Sequence, residues 1–261
     1  VVGYWPLDGD AADVIGQSDG VNNGAIAASG RFGARPDAME FNGIDSHVAI
    51  PKRLSGDADF TVSMWLKTDS SDSFQEFFGG GTEGAAYFYL ATYHGTGTTY
   101  VALHDGAGTA LDFVGTTDVC DGAWHYISVT YSAAADMLAL YVDGLEDVEP
   151  KVVAVSAGFD PGQDFHIGRI NVPGAVGVYP FTGKIDDVLI HSVAKSPDYI
   201  YRRAKPGVPT LRFLAHTEPE ANAEGAFDWL DSTLHWGDPA ATLAVPLLTD
   251  LAQTQTCTGL L

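Results

Sequence analysis

The side chains of this 261-residue chain that could do acid–base, metal or thiol chemistry are 26 Asp and 8 Glu among 34 acids, 8 His and 2 Cys. His47, His94, His104, His125, His166, His191, His216 and His235 are dispersed, and none forms His-Glu-x-x-His or another zinc spacing. Cys120 and Cys257 are too far apart for a metal knuckle but are the only possible disulfide pair. A bridge would pin the tail to the loop before Asp121 and stabilise by roughly 2–4 kcal/mol in the entropic account. It would also match an oxidising, extracellular location. Two buried free thiols, or a tail thiol meant for a neighbouring domain, are the alternatives. No Gly-x-Ser-x-Gly elbow and no phosphate loop occur.

Recognition of sugars needs aromatic platforms with a few polar partners. Tyr87, Phe88, Tyr89, Tyr93 and Tyr100 crowd around the loops at 79–84 and 94–98. Alternation along strands sends about half of such rings inward, so core packing is the reading for most of them. Tyr93, His94 and Tyr100 remain as candidate ligand contacts. His104 lies in or beside a loop and is expected to be solvent-exposed, and His125 to serve packing.

The net charge is −21, from 13 Lys and Arg against 34 Asp and Glu. A phosphate binder needs clustered cations, so nucleic acid is excluded as a partner, and an anionic membrane surface would repel the chain. No apolar run reaches the length of a membrane span. Asp outnumbers Glu, and 30 Gly and 13 Pro accompany it. Those residues favour turns over helices. The chain opens Val-Val-Gly-Tyr-Trp without Met or a signal peptide, which suggests a mature or excised piece.

Alternating apolar and polar residues predict strands at 38–42, 47–50, 60–67, 75–79, 86–93, 98–104, 110–114, 124–131, 137–142, 151–155, 164–168 and 184–191. A hairpin is expected across Ser132–Asp136, and Asp143-Gly144 marks a second tight turn. So many short strands indicate an all-β, two-sheet antiparallel sandwich. One helix is expected at 196–204, with Ser196 as N-cap, Pro197 at its first position and Arg202 and Arg203 near its end. Lys205-Pro-Gly-Val-Pro209 then breaks the chain, so the domains are 1–205 and a C-terminal extension or further domain at 206–261 of unassigned structure.

Several motifs in series carry a resemblance. Tyr4-Trp-Pro-Leu-Asp8, Gly20-Val-Asn-Asn-Gly24, Phe41-Asn-Gly-Ile-Asp-Ser-His-Val48, Asp59-Phe-Thr-Val-Ser-Met-Trp-Leu-Lys67 and Asp121-Gly-Ala-Trp-His125 come in that order. Leu140-Tyr-Val-Asp-Gly144 and Phe181-Thr-Gly-Lys-Ile-Asp-Asp-Val-Leu-Ile190 complete the set. Together they resemble a laminin-G-like jelly roll of the concanavalin A-like lectin/glucanase superfamily over about residues 3–204. The resemblance implies a jelly roll whose first and last strands lie side by side. It also implies a non-catalytic module of a secreted or cell-surface protein that binds a glycan or protein ligand.

Many such domains hold one structural calcium. By resemblance its ligands would be Asp8 past the first strand, Asn42 and Gly43 at a turn, and Asp186 on the last strand. Strand alternation would then turn Asp187 to the opposite face from Asp186. Glucanases of this fold use Glu-x-Asp-x-x-Glu, which the chain lacks; Glu146-Asp-Val-Glu149 and Glu218-Pro-Glu220 have the wrong spacing or context. The expected function is therefore an adhesion or binding module. The alternatives are a structural subunit of a surface layer or filament, self-assembling or joined to neighbouring domains, and, last, a glycoside hydrolase.

Overall fold

The period-two pattern is realised as strands that alternate between a hydrocarbon core and two outer faces. The chain divides into Val1–Lys205 and Pro206–Leu261. The computed structural model describes residues 1–205 except 16–17, 34, 52–53, 55–57, 72, 82–85, 108, 156–161 and 172–178. Cys257, His216, His235 and Glu218-Pro-Glu220 lie outside the described residues.

In chain order the strands are β1 Gly3–Trp5, β2 Val21–Asn23, β3 Ile26–Ala28, β4 Ala38–Asn42, β5 His47–Ile50, β6 Phe60–Lys67, β7 Gln75–Gly81 and β8 Ala86–Thr92. They continue as β9 Thr98–Asp105, β10 Ala110–Asp118, β11 Trp124–Ser132, β12 Met137–Val142, β13 Leu145–Glu146, β14 Lys151–Val152, β15 Phe165–Ile167 and β16 Thr182–His191. Helix α1 spans Pro197–Arg203. Ser196 caps it, its Oγ accepting the Tyr199 N–H at 3.3 Å.

The first sheet runs β13-β12-β11-β6-β16-β4-β3, with β1 added along β16 and β14 along β12. The second runs β10-β9-β8-β7-β15-β5-β2. Neighbouring strands are antiparallel, and β1 lies beside β16 with Trp5 opposite Val188. First and last strands are thus adjacent, as a jelly roll requires.

Val62, Met64 and Leu66 of β6 and Ile127 and Val129 of β11 point into the sandwich against Phe88, Leu90, Val101, Leu103, Phe165 and Ile167 of the second sheet. Phe60 meets Phe88 edge-on across the sheets, with ring centroids 5.4 Å apart. The first sheet is covered on its outer side too, where Ile200 and Ala204 at α1 pack on Trp65, Tyr126, Ala139 and Tyr141. The second sheet has no such helix among the described residues.

The hairpin expected at Ser132–Asp136 joins β11 to β12, and Asp143 and Gly144 both adopt positive φ, 51° and 85°, in the turn between β12 and β13. Two consecutive positive φ values are what a type I′ hairpin turn needs. His125 ties this turn to the start of β11. Its Nδ1 lies 2.9 Å from Asp143 Oδ2 and its Nε2 lies 3.0 Å from Asp121 Oδ1. The packing role expected of His125 is therefore electrostatic as well.

The hydrogen bond to Asp143, against the cost of burial and with help from Asp121, raises the His125 pKa. The Asp121 carboxyl is lowered by the Ala123 N–H and then by His125. Burial pushes Asp143 up, but His125 and the Tyr126 N–H outweigh it and the net shift is downward. A raised histidine contributes stability below its unfolded value of about 6.5 and loses it as pH rises through the folded pKa. The depressed carboxylates contribute above about 3.9 and lose it as pH falls. The clamp is therefore strongest between those limits. His125→Ala should lower stability by about 1 kcal/mol or less at pH 5.5, since both carboxylates are partly exposed, and by a smaller amount at pH 8.5. Thermal melts at the two pH values check this; an equal loss at both would remove the electrostatic part of the clamp.

Candidate functional site

The residues expected to hold calcium do not converge. Asn42 pairs with Thr182 at the start of β16, whereas Asp186 lies four residues further along the same strand. At about 3.3 Å per residue that is roughly 13 Å, while one calcium holds its oxygens at about 2.3–2.6 Å. The Asn42 side chain is also committed to its own turn, with Oδ1 accepting the N–H groups of Ile44, Asp45 and Ser46 at 2.9, 3.1 and 3.1 Å. Gly43 serves that turn: its φ is 69°, and a Cβ there would lie 1.9 Å from Thr182 Oγ1. Asp8 is exposed beyond β1. These four residues, as placed, do not fit a single ion.

Asp186 has a cation of a different kind. The register slips by one residue between Asp186 and Leu189, and Asp187 takes a positive φ of 52°. This β-bulge corrects the expectation of opposite faces, because an extra residue breaks the alternation. Arg31 Nε donates to Asp186 Oδ2 at 2.8 Å, and its second prong reaches Asp187 Oδ2. Tyr4 OH donates to the other Asp187 oxygen, Oδ1, at 2.5 Å, and the Arg31 guanidinium lies 4.5 Å from the Trp65 ring centroid. The guanidinium occupies the cationic position beside both acids.

The outer face of the second sheet gathers a different set. Strand register puts Tyr87 of β8 opposite His104 and Gly81, Tyr89 opposite Ala102 and Gly79, and Ala91 opposite Tyr100 and Glu76. Phe88 and Leu90, between these positions, are fully buried in the core. Most of the rings expected to pack inward therefore face outward, and only Phe88 of the five is core. Tyrosine carries a hydroxyl that is costly to bury unpaired, whereas Phe and Leu are not penalised inside. That difference, alternating at single-residue spacing, was the sequence signal for the outward face.

The rings form a continuous ladder. Centroids are 5.9 Å apart for Tyr93–Tyr100 and Tyr100–Tyr89, 5.6 Å for Tyr89–Tyr87 and 4.2 Å for Tyr87–His104. His94 packs on Tyr93 at 4.7 Å, so the three candidate ligand contacts Tyr93, His94 and Tyr100 share one cluster. Phe74 sits edge-on to Tyr89, Tyr93, Tyr100 and Tyr179 at 6.5, 6.4, 5.2 and 5.7 Å. It binds the cluster together. Phe74, Tyr179, Glu76 and Asp112 escaped the sequence reading because they come from segments distant in the chain.

Two carboxylates flank the ladder. Asp112 on β10 accepts from or pairs with His104 Nε2 at 3.0 Å, so His104 is a partner within the sheet and not a loose loop residue. Glu76 on β7 is 4% exposed, and its Oε2 accepts the Tyr179 N–H at 3.0 Å. Burial pushes the Glu76 carboxyl up to about 7, although the Tyr179 N–H and Arg169 pull it down. Burial raises the Tyr89 phenol far above its usual range, with Tyr100, Tyr87, Asp112 and Glu76 adding to the rise. Burial and then Asp112 push Tyr100 up to about 12. The phenols are thus held as hydroxyls, able to donate and accept. On the β15 side, opposite Gly79, a neutral His166 stacks on His47 at 4.4 Å; burial lowers it to about 3. A face of rings bordered by hydroxyls and carboxyl groups suits a ligand with apolar C–H faces and many hydroxyls.

Glu146 lies exposed on the edge strand β13 of the other sheet, and Glu149 follows it in a loop. Cys120 is buried, 6% exposed, and burial pushes its thiol up to about 11. Its expected partner Cys257 is outside the described residues.

Residues 42–201 match the family model of a laminin G domain of the concanavalin A-like lectin/glucanases superfamily. No curated protein sequence matches significantly. Among solved structures, domain 4 of AbnA, a GH43 extracellular arabinanase from Geobacillus stearothermophilus, in complex with arabinotriose, is similar at TM-score 0.60 and 18% identity, covering 78% of this chain and 98% of that one. The heptameric SAP-like pentraxin of Limulus polyphemus is similar at TM-score 0.51 and 16% identity, covering 64% and 81%. The botulinum neurotoxin serotype D binding domain is similar at TM-score 0.58 and 12% identity, covering 78% of this chain and 50% of that one. At these identities the likeness is one of fold.

Proposed function

This chain belongs to the concanavalin A-like lectin/glucanases superfamily, and from that premise we propose that its Val1–Lys205 unit is a non-catalytic, extracellular carbohydrate-binding module. The observation that carries the reading is the unbroken ladder Tyr93–Tyr100–Tyr89–Tyr87–His104 on an outer face without a covering helix among the described residues. Ring surface not taken up by a neighbouring ring packs on the C–H faces of sugars, while the phenols and the accessible Asp112 carboxyl meet hydroxyl groups. The arabinanase domain that shares this fold is described with arabinotriose, which supports a glycan over a protein ligand. Calcium is not carried into this reading through Asp8, Asn42, Gly43 and Asp186.

A glycan array followed by calorimetry on the hits tests the proposal. Saturable binding that is lost with Tyr100→Ala is the expected result; no binding to any glycan removes the reading and favours a structural subunit, whose self-assembly size-exclusion at high concentration would reveal. The same glycans should release no reducing ends, and Glu146→Gln and Glu149→Gln should change nothing. An extracellular placement goes with a Cys120–Cys257 bridge. Denatured, unreduced protein should then show no reactive thiol, and two reactive thiols would dispose of the bridge.

A further inference from the structure

We propose that the aromatic face selects uncharged glycans and rejects anionic ones, with Glu76 and Asp112 setting the sign of the field over the rings. The inference rests on the glycan-platform reading and names the ligand class for it. Strand order is the first support. Tyr87, Tyr89, Tyr100 and His104 stand on β8 and β9, and the neighbouring strands on either side, β7 and β10, supply Glu76 and Asp112 to the same outer face. Asp112 lies opposite Ala102, which lies opposite Tyr89, and Glu76 lies opposite Ala91, which lies opposite Tyr100. The ladder is bracketed by carboxylates.

The second support is that this field already acts on the rings. Asp112 and Glu76 both disfavour a negative charge on Tyr89, and Asp112 does so on Tyr100. A uronate, sulfate or sialate seated on those rings would meet the same repulsion, in a partly buried setting where solvent and salt screen less. Arg169 offsets part of the Glu76 charge and His104 shares Asp112. Neither cancels the effect at Tyr89. At longer range the chain carries −21, so an anionic ligand is also slowed on approach. An uncharged oligosaccharide meets none of this, and its hydroxyls find an acceptor in the accessible Asp112 carboxylate.

The test uses the purified full chain and matched probes: arabinotriose, xylotriose, cellotriose and laminaritriose, each with its monosulfated form, measured by calorimetry at low salt and at 0.5 M salt, at a pH well above 7 so that Glu76, whose carboxyl is pushed up to about 7, is ionised. At least one neutral trisaccharide should bind, its sulfated form should bind tenfold or more weakly, and the gap should narrow at high salt. Glu76→Gln and Asp112→Asn should each reduce the neutral-to-sulfated affinity ratio at least threefold. Asp112 is partly exposed on its strand, so its variant stays informative where the buried Glu76→Gln fails to fold. Equal or tighter binding of the sulfated forms overturns the selectivity, as does a ratio unmoved in Asp112→Asn, while leaving the platform standing. Failure of every probe, neutral and sulfated, overturns the platform itself and the selectivity with it.

Discussion

Replacing Arg31 with Ala is expected to destabilise the Val1–Lys205 unit by about 3–5 kcal/mol, the usual cost of leaving buried charges without their partner. The Arg31, Asp186 and Asp187 side chains are only 10%, 5% and 18% exposed, so water cannot take over. Two acids on one bulge would lose the guanidinium that joins them, and Arg203, whose charge acts on Asp187, does not replace the fork to Asp186. Arg31→Lys should recover less than half of the loss, because an ammonium has no planar fork to serve two acids and stacks poorly on Trp65. The double variant Arg31→Ala, Asp186→Asn should recover part of it, since Asp187 keeps the Tyr4 hydroxyl and the charge of Arg203.

The pH dependence has a definite sign. Burial and then Asp187 push the Asp186 carboxyl up, against the pull of Arg31. A carboxyl raised in the folded state holds its proton better there than in the unfolded chain. Its contribution therefore falls as pH rises through the interval between the unfolded value near 3.9 and the folded one. In Arg31→Ala that interval widens, so the loss should be larger at pH 8 than at pH 5. Urea unfolding at both pH values reads the effect, and a loss under 0.5 kcal/mol at pH 8 would sink this account of the cluster.

Tyr89→Ala is expected to weaken glycan binding by at least 2 kcal/mol, about thirtyfold, as removal of a central anchor does. Tyr89 touches Tyr87, Tyr100 and Phe74, so it sits in the middle of the ladder and not at its rim. The ring is half-buried and outside the sandwich core. Its removal should therefore cost much less stability than Phe88→Ala one residue earlier, where a fully buried ring leaves a cavity and about 3–5 kcal/mol is lost. Opposite outcomes at adjacent positions are the signature of a strand with one face in the core and one on a ligand. Unchanged binding in Tyr89→Ala would move the site elsewhere.

How much of this was legible in the chain varies by residue. The strand at 60–67 follows from Phe60, Val62, Met64 and Leu66 alone, because a period of two has only one regular solution. Ser196-Pro197 and the two terminal arginines likewise specify α1 within a residue of its ends. The aromatic face was half legible: Tyr93, His94 and Tyr100 are close in sequence and do cluster, but Phe74, Glu76, Asp112 and Tyr179 arrive through strand pairing and loop packing. The placing of Asp186 and Asp187 on opposite faces failed because alternation is blind to a bulge. A one-residue slip reverses every side chain beyond it.

The sequence by itself determined an antiparallel sandwich, its one described helix and a strongly acidic chain, because those properties depend on local periodicity, capping and net charge. Only the tertiary structure decided which tyrosines face outward together, which carboxylates border them and which cation neutralises Asp186 and Asp187. Those outcomes depend on register between strands far apart in the chain. Register is set by how both sheets bury their inner faces at once, and no local window contains that information.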